Sequence, residues 1–598
     1  MTARASSGAD DVARDWDVVV VGAGAGGLSA AVTAAHAGLR VLVVEKEPVF
    51  GGTTARSGGI LWLPCSPVAK AAGVSDSADE ARTYMRHEAG SAADLGRIDA
   101  FLEAAPGMVE FFQRNTRVQL QALPAFPDYH PWAPGAAAAG GRCHIAAPFS
   151  AHELGAEVAR LRPPLREITF VGMMFNASQE VSHFFNVTRS ARSAAYVARR
   201  LAEHAWEMLR YGRAMRLTSG NALVARLAAS AFDVGVRILT STVARRLIVE
   251  DGGVRGVEIE RDGLPVAIRA SGGVVLAGGG FPQDPELKSR LFPHARRGQE
   301  HHSPAPPGNT GDGWRLAEAS GARVIDDLPN AAAWIPVSRV PHRDGTVGVF
   351  PHLIDRYKPG IIAVTRTGCR FVNEADSYHD FCIALHRASA DDPDPAAWLI
   401  CDHRALRRYG LGFVKPFPLP CSRHLRSGYL LRGRTPQELA AAAGIDPERL
   451  RETIDAFNAA ARRGEDPQFG KGDSPYNRYL GDAGALPNPC VAPLDRPPYY
   501  AIRVTTGDLG TFAGIATDRH ARVLDRGGRP IAGLYAVGND AASVMGGSYP
   551  GGGITLGPAM TFGFVAARHI ANGRGSSEPR SRNARGASPA ASLRTEPG

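Results

Sequence analysis

The sequence predicts an α/β fold in which a nucleotide-binding domain of parallel-sheet type is split along the chain by an inserted α+β domain. Three segments predict it. A strand–glycine–helix–strand unit occupies Trp16 to Lys46, a further strand running into glycines spans Gly273 to Phe281, and a strand followed by a dense glycine cluster spans Gly533 to Gly563. Apolar strands that end in glycines belong to a parallel sheet whose strand ends face a ligand.

The first unit opens with Val18–Val21, an apolar β-branched run of buried-strand type. It continues into Gly22-Ala23-Gly24-Ala25-Gly26-Gly27, which fits G-x-G-x-x-G through Gly22, Gly24 and Gly27. Gly22 makes the tight turn, Gly24 admits a pyrophosphate, and Gly27 lets helix and strand pack closely. The Ala-rich helix that follows ends at Ala37-Gly38 and turns its N-terminus to the phosphates. A second strand, Val41–Val44, closes on Glu45, which is placed to accept ribose hydroxyls. Strand, glycines, helix, strand and acid in this order are Rossmann-like, a stronger signal than the glycine spacing alone.

Beyond Lys46 comes a second glycine and hydroxyl loop, Gly51 to Gly59, with Thr53, Thr54 and Ser57. It departs from a plain nicotinamide-binding unit and suits a larger cofactor. The third strand end is Val274–Leu276 followed by Ala277-Gly278-Gly279-Gly280. The motifs VGAGAGGLSAA, EKEPVFGGTTARSGG, VVLAGGGF and GLYAVGN resemble the flavoprotein family that contains fumarate reductase and the 3-ketosteroid dehydrogenases, and they span most of the chain. The resemblance implies a discontinuous Rossmann-like FAD-binding domain with an inserted α+β capping domain. FAD contacts are then expected from Gly22, Gly24, Gly26, Gly27, Glu45 and Lys46, and from Gly52, Thr53, Thr54, Ser57, Gly58 and Gly59 of the second loop. Val243, Ala277, Gly278, Gly279, Gly538, Asn539 and Leu556 complete that set. No histidine lies between Gly51 and Gly59, where covalently flavinylated relatives carry theirs, so the FAD is expected to be noncovalent.

Residues 1–15 read as a flexible leader, 16–283 as the first part of the FAD-binding domain, and 284–496 as the capping domain. Residues 497–572 return to the FAD-binding domain, and 573–598 form a Ser/Pro/Ala/Gly-rich tail expected to be disordered. The first part holds a hairpin, Leu247–Asp251 and Val254–Glu260 around Gly252-Gly253, and a Gly/Ala/Pro-rich loop from Pro124 to Gly141 expected to cover the active site. The clearest helix of the capping domain starts at Asp446-Pro447-Glu448, an N-cap followed by proline at the first helical position. Leu450, Ile454 and Phe457 then form one buried stripe.

Composition narrows the function classes. With 598 residues, 44% apolar and 21% charged, the chain has a soluble globular composition. No apolar run approaches the ~20 residues of a membrane helix, and residues 1–15 lack the apolar core of a secretory signal. Seven cysteines are scattered without C-x-x-C spacing, which argues against zinc or disulfides and for a cytoplasmic setting. No metal site is expected. The net charge is +9, of which the tail supplies +3 through five arginines and two glutamates. No basic block is interleaved with aromatics, so nucleic acid is not an expected partner, while peripheral membrane contact stays open.

Two segments suit flavin chemistry at a carbon beside a ketone. In Arg370-Phe371-Val372-Asn373-Glu374, Tyr378 stands four residues after the glutamate, where fumarate-reducing relatives carry a proton-delivering arginine. From Met545 to Gly563 no residue is charged, so the segment offers no cation to a substrate carboxylate. Tyr549, Ser548, Thr555 and backbone N–H groups suit a neutral ketone instead.

MGGSYPGGGITLGPAMTFG is similar to the 3-ketosteroid Δ1-dehydrogenase form of the motif. The resemblance implies that the Tyr549 hydroxyl and the Gly553 N–H polarise the C3 carbonyl. Tyr378 would take a proton from C2 while hydride leaves C1 for flavin N5. A phenol of ordinary pKa ~10 is a weak base near neutrality, and Tyr129, in Asp128-Tyr129-His130-Pro131, is the matching assistant.

The expected function is FAD-dependent 1,2-desaturation of a steroid-like ketone, with electrons passed to an external acceptor such as a quinone. The alternatives are Δ4-(5α) dehydrogenation, an enoate reductase of the fumarate or urocanate type, and a flavin-bound redox sensor. His130, His352 and His379 are isolated histidines to which the sequence assigns no role. Met173-Met174-Phe175 and His183-Phe184-Phe185 read as an apolar wall.

Overall fold

The computed structural model describes residues 15–175, 183–184, 186–188 and 190–575. The expected leader up to residue 14, Phe185 of the apolar wall and the tail from residue 576 lie outside the described residues.

Five strands form the parallel heart of the main sheet: β1 (Trp16–Val21), β2 (Val41–Val44), β3 (Arg237–Leu239), β4 (Leu264–Leu276) and β5 (Pro530–Ala536). Their order across the sheet is β5-β4-β1-β2-β3, every neighbouring pair parallel. The chain therefore leaves β1 toward one edge and later returns on its other side. The gap between β1 and β4 is the switch point at which open parallel sheets bind ligands. Register places Val21 beside Leu276, so the glycines after both strands emerge together.

The valines of β1 alternate between two cores, as strand geometry dictates. Val18 and Val20 pack with helix α1 (Ala25–His36), whereas Val19 and Val21 pack with Leu247, Val257 and Ile268 on the opposite face. The expected hairpin is present, as Thr242–Glu250 antiparallel to Gly253–Arg261, and it continues antiparallel into the first half of β4.

A second sheet forms the inserted part, with strand order Val347–Pro351, Ala332–Pro341, Tyr499–Thr511, Ala397–Asp402, Ile361–Thr365. Its faces also alternate. Ile361 and Ala363 face α2 (Tyr378–Ala388), while Ile362 and Val364 face the helix Pro447–Ala461 with its buried Leu450, Ile454 and Phe457. Tyr499–Thr511 pairs with strands of this sheet on both sides, so the chain leaves it after Thr511 and not near residue 497. The strand is 13 residues long and mostly buried. The last helix, α3 (Leu556–Gly575), packs across α1, with the Ser29 hydroxyl donating to the Met560 carbonyl at 2.7 Å.

Candidate active site

At the end of β1, Gly22 has φ +107°, and a Cβ there would lie 2.2 Å from the Ala277 carbonyl oxygen. Only glycine can turn here against the neighbouring strand end. A Cβ on Gly27 would lie 2.1 Å from the Gly22 carbonyl oxygen, so this glycine closes helix on strand, as its position in the motif predicts. Gly24 is the N-cap of α1 and provides no side-chain cap; with Ala25 and Gly26 it faces a cavity of ≈ 1340 Å³. A helix N-terminus open to a cavity is an anion site.

Glu45 is buried at the end of β2 and accepts the Ala23 N–H at 3.0 Å and the Glu47 N–H at 3.1 Å. Burial raises its pKa, and the two N–H donors oppose that shift. A carboxylate has about four acceptor directions, which leaves capacity for ribose hydroxyls. Lys46 reaches the inserted part, donating to Thr310 Oγ1 at 2.7 Å and pairing with Asp312 at 2.5 Å.

The same cavity is lined by Gly52, Thr53, Thr54, Ser57, Gly58 and Gly59, by Ala277, Gly278 and Gly279, and by Gly538, Asn539 and Leu556. Thr54 Oγ1 accepts the Ala25 N–H at 3.1 Å, which joins the second loop to the first. Gly27 and Val243 do not border the cavity. Gly27 packs helix on strand, and Val243 lies on a strand whose neighbours Thr242 and Ala244 border the cavity, so its side chain points the other way.

Two anchors escaped the sequence reading. Asp540 accepts the N–H groups of Gly278 at 2.6 Å and Gly280 at 2.9 Å, and burial pushes its pKa up to about 6. Asn309 donates to Thr53 Oγ1 at 3.0 Å and to the Gly279 carbonyl at 3.1 Å. The acid following GLYAVGN was a visible signal for the first; nothing marked the second.

Tyr129, Tyr378, and Tyr549 with Gly553, drawn from three distant segments, also line this cavity. The Tyr129 hydroxyl donates to the Tyr378 hydroxyl at 3.2 Å. The Tyr378 and Tyr549 rings are 5.0 Å apart at 73°, and Tyr129 stacks on Tyr549 at 5.8 Å and 12°. Tyr378 is the first residue of α2, whose N-cap Ser377 accepts the Asp380 N–H at 3.2 Å. Gly553 has φ +91°, and a Cβ would lie 2.2 Å from the Ile60 carbonyl oxygen, so the turn beside Tyr549 also requires glycine. The Tyr129 N–H donates to the Pro550 carbonyl at 2.9 Å, which ties the Pro124–Gly141 loop to that turn.

Burial pushes the Tyr129 and Tyr378 phenols well above their ordinary range. It raises Tyr549 to about 12, against the hydrogen-bonding influence of Tyr378, Thr555 and the Gly553 N–H. His379 lies 6.2 Å from the Tyr549 ring, accepts the Trp334 N–H at 3.1 Å, and is held down to about 4 by burial. His352 stands in a separate buried network with Asp355 at 2.7 Å and Ser338 at 2.9 Å.

Tyr476, whose ring centroid is 4.5 Å from that of Tyr129, also borders the cavity, and no sequence signal singled it out. Neither did any signal reveal the cations of the inserted part. Lys358 donates to the carbonyls of Leu480 and Gly481 at 2.7 Å each, and Arg408 pairs with Asp482. Both cations line the cavity, as do Met174 and Phe175 of the expected apolar wall.

A nucleotide cradle and a cluster of phenols on one cavity agree with the comparisons. Residues 17–556 match the family described as FAD binding domain. The chain belongs to this family of FAD-dependent oxidoreductases. It is 40% identical, over 94% of its length and 96% of the relative's, to 4-oxocyclohex-2-ene-1-carboxylate 5-dehydrogenase of Sinomonas cyclohexanicum. It is 38% identical, over 94% of its length and 99% of the relative's, to 3-oxosteroid 1-dehydrogenase of Mycobacterium tuberculosis. Among solved structures it matches 3-ketosteroid Δ1-dehydrogenase of Sterolibacterium denitrificans in complex with 1,4-androstadiene-3,17-dione. That match has a TM-score of 0.86 and 37% identity and covers 94% of this chain and all of that one. This flavoprotein is thus a dehydrogenase of the 3-oxosteroid dehydrogenase type with FAD as its cofactor. Among the described residues no helix is long and apolar enough to cross a membrane.

Proposed function

We propose that this flavoprotein desaturates the C1–C2 bond of a 3-ketosteroid or a similar cyclic ketone and passes the electrons to an external acceptor such as a quinone. The observation that carries this reading is the joining of Tyr129 and Tyr378 hydroxyl to hydroxyl at 3.2 Å, with Tyr549 and Gly553 on the same cavity wall.

FAD, when bound, supplies the hydride acceptor. The Tyr549 hydroxyl and the Gly553 N–H donate to the ketone oxygen, and they stabilise the charge that develops there as the α-proton leaves. Tyr378 receives that proton at its hydroxyl oxygen. Its phenol sits well above neutrality in the substrate-free protein, and the Tyr129 hydroxyl stabilises negative charge on it by donating at 3.2 Å.

A second reading, a smaller cyclic ketone bearing a carboxylate, is favoured by Lys358 and Arg408. Both come from the inserted part, whereas Met545–Gly563 carries no charged residue. Asp482 neutralises Arg408 directly, while Lys358 is held by carbonyl oxygens, and burial lowers it to about 8.

Anaerobic mixing with androst-4-ene-3,17-dione and with 4-oxocyclohexanecarboxylate decides between the two readings by which ketone bleaches the flavin. Tyr378→Phe is expected to abolish turnover with FAD still bound; turnover that survives would refute the proton-transfer role.

A further inference from the structure

Each of the three tyrosines lies within two residues of a member of one hydrogen-bonded cluster centred on His130. His130 follows Tyr129, Asp380 stands two residues after Tyr378, and Ser548 precedes Tyr549. The His130 ring binds carboxylates from both of its nitrogens: Nδ1 to Glu88 at 2.8 Å and Nε2 to Asp380 at 2.7 Å. Glu88, on the helix Ala78–Ala89, also accepts the Ser548 hydroxyl at 3.0 Å. Asp380 also accepts the Ser377 hydroxyl at 2.7 Å. On the same side, the His130 N–H donates to the Tyr84 hydroxyl at 3.3 Å, and that hydroxyl donates to the Pro550 carbonyl at 2.7 Å.

We propose that His130 is a positioning residue, an imidazolium clasp that holds the loop of Tyr129, the helix headed by Tyr378 and the glycine turn of Tyr549 in register. The inference rests on the tyrosine reading of the reaction above.

The chemistry requires a cation at this point. Two carboxylates can be bound at opposite ring nitrogens only by an imidazole that donates from both, which is its protonated form. The surrounding charges favour that form. Burial alone would lower the pKa of His130, but hydrogen bonds and charge from Asp380 and Glu88 outweigh it and raise the value to about 10. Asp376, itself acted on by Arg356, and neutral His379 interact electrostatically with His130, and the ring centroid of Trp132 lies 6.1 Å away. Ser548 and Ser377 occupy remaining acceptor positions of the two carboxylates, so the cluster is shared among all three segments. Asparagine at position 130 has one donor nitrogen and cannot span both acids. The register of Tyr129 and Tyr378, whose hydroxyls meet at 3.2 Å, would then lose its charged link.

The test is His130→Asn, read by kcat and by the isotope effect of a ketone deuterated beside its carbonyl: androst-4-ene-3,17-dione, or 4-oxocyclohexanecarboxylate if that is the one turned over. Misplacement costs proton transfer specifically, so kcat should fall by about tenfold to a hundredfold, and the isotope effect should rise with FAD content unchanged. A variant that only lowers the folded fraction reduces the rate and leaves the isotope effect where it was. An unchanged rate, or a fall in rate without a rise in the isotope effect, overturns the proposal. If His130→Asn does not retain FAD, Glu88→Ala applies the same two readouts and criteria, because it severs the clasp from Ser548 and Tyr549. Turnover surviving in Tyr378→Phe would instead remove the tyrosine reading itself, so the two failures are distinguishable.

Discussion

Tyr549 and Tyr378 differ in what surrounds each hydroxyl, and their expected effects differ accordingly. Tyr549 feels the Gly553 N–H and Thr555, and in the proposed reaction its hydroxyl and the Gly553 N–H donate to one ketone oxygen. Tyr549→Phe removes one donor of an oxyanion site and should lower kcat by about a hundredfold to a thousandfold, measured as steady-state turnover with FAD content unchanged. In the proposed reaction Tyr378 accepts a proton, and burial holds its phenol well above the ordinary value. Only the deprotonated fraction can act, and that fraction grows with pH below the pKa. The rate should therefore climb from pH 7 to 9 by up to about tenfold per unit; a flat profile over that range would contradict the assignment of Tyr378 as base. Tyr549 and Tyr378 were legible in the sequence because glycines and a motif flank them. Tyr476 was not, since an aromatic in a short helix reads as core whatever it faces.

At the scale of elements, the Arg370–Glu374 segment is a scaffold for Tyr378. Arg370 binds Glu374 at 2.8 Å through two nitrogens and Asp466 at 2.7 and 2.8 Å, with all three side chains buried. Asn373 accepts the Ala375 N–H at 2.9 Å and donates to Asn477 at 3.0 Å, which fixes the chain just ahead of α2. Removing one partner of a buried ion group leaves charge unpaired, so Arg370→Ala should cost about 3–5 kcal/mol in denaturant unfolding. Burial acts to raise the pKa values of Glu374 and Asp466, but Arg370 and Lys471 outweigh it and hold both below their ordinary range. Their stabilising contribution is present above the unfolded carboxylate range and lost as pH falls through the lower folded values. His130 has the opposite sign: its contribution is full below the unfolded histidine pKa of ~6.5 and is lost as pH rises through about 10. A melting-temperature gap between wild type and His130→Asn should thus narrow toward alkaline pH. The motif R-F-x-N-E was visible in the sequence, but its partners Asp466 and Lys471 lie about a hundred positions away and carry no local signal.

At the scale of the whole molecule, one cavity is walled by both sheets and both loops, and this arrangement separates what the sequence could reveal from what it could not. The cradle was legible because a parallel strand must end in glycines to admit a pyrophosphate, a local requirement. Lys358, Arg408 and Asp482 were not, because their meaning comes only from the packing of the inserted part over the cradle. The later departure from the second sheet, after Thr511, has the same cause: pairing partners on both sides decide where a long strand belongs.

The shared cavity also couples cofactor to stability. Gly22 and Gly278 follow strands of the main sheet, Asn309 and Asp312 belong to the inserted part, and Lys46 joins the two through Asp312. FAD filling that seam binds the assembled form and not the unfolded chain, so a hundredfold excess over its dissociation constant should add about 2.7 kcal/mol. Flavin fluorescence released on heating should rise together with loss of far-ultraviolet ellipticity, and both midpoints should increase with added FAD. Flavin release well below the ellipticity transition would show instead that the cradle opens alone and that the Lys46–Asp312 link does not hold the seam.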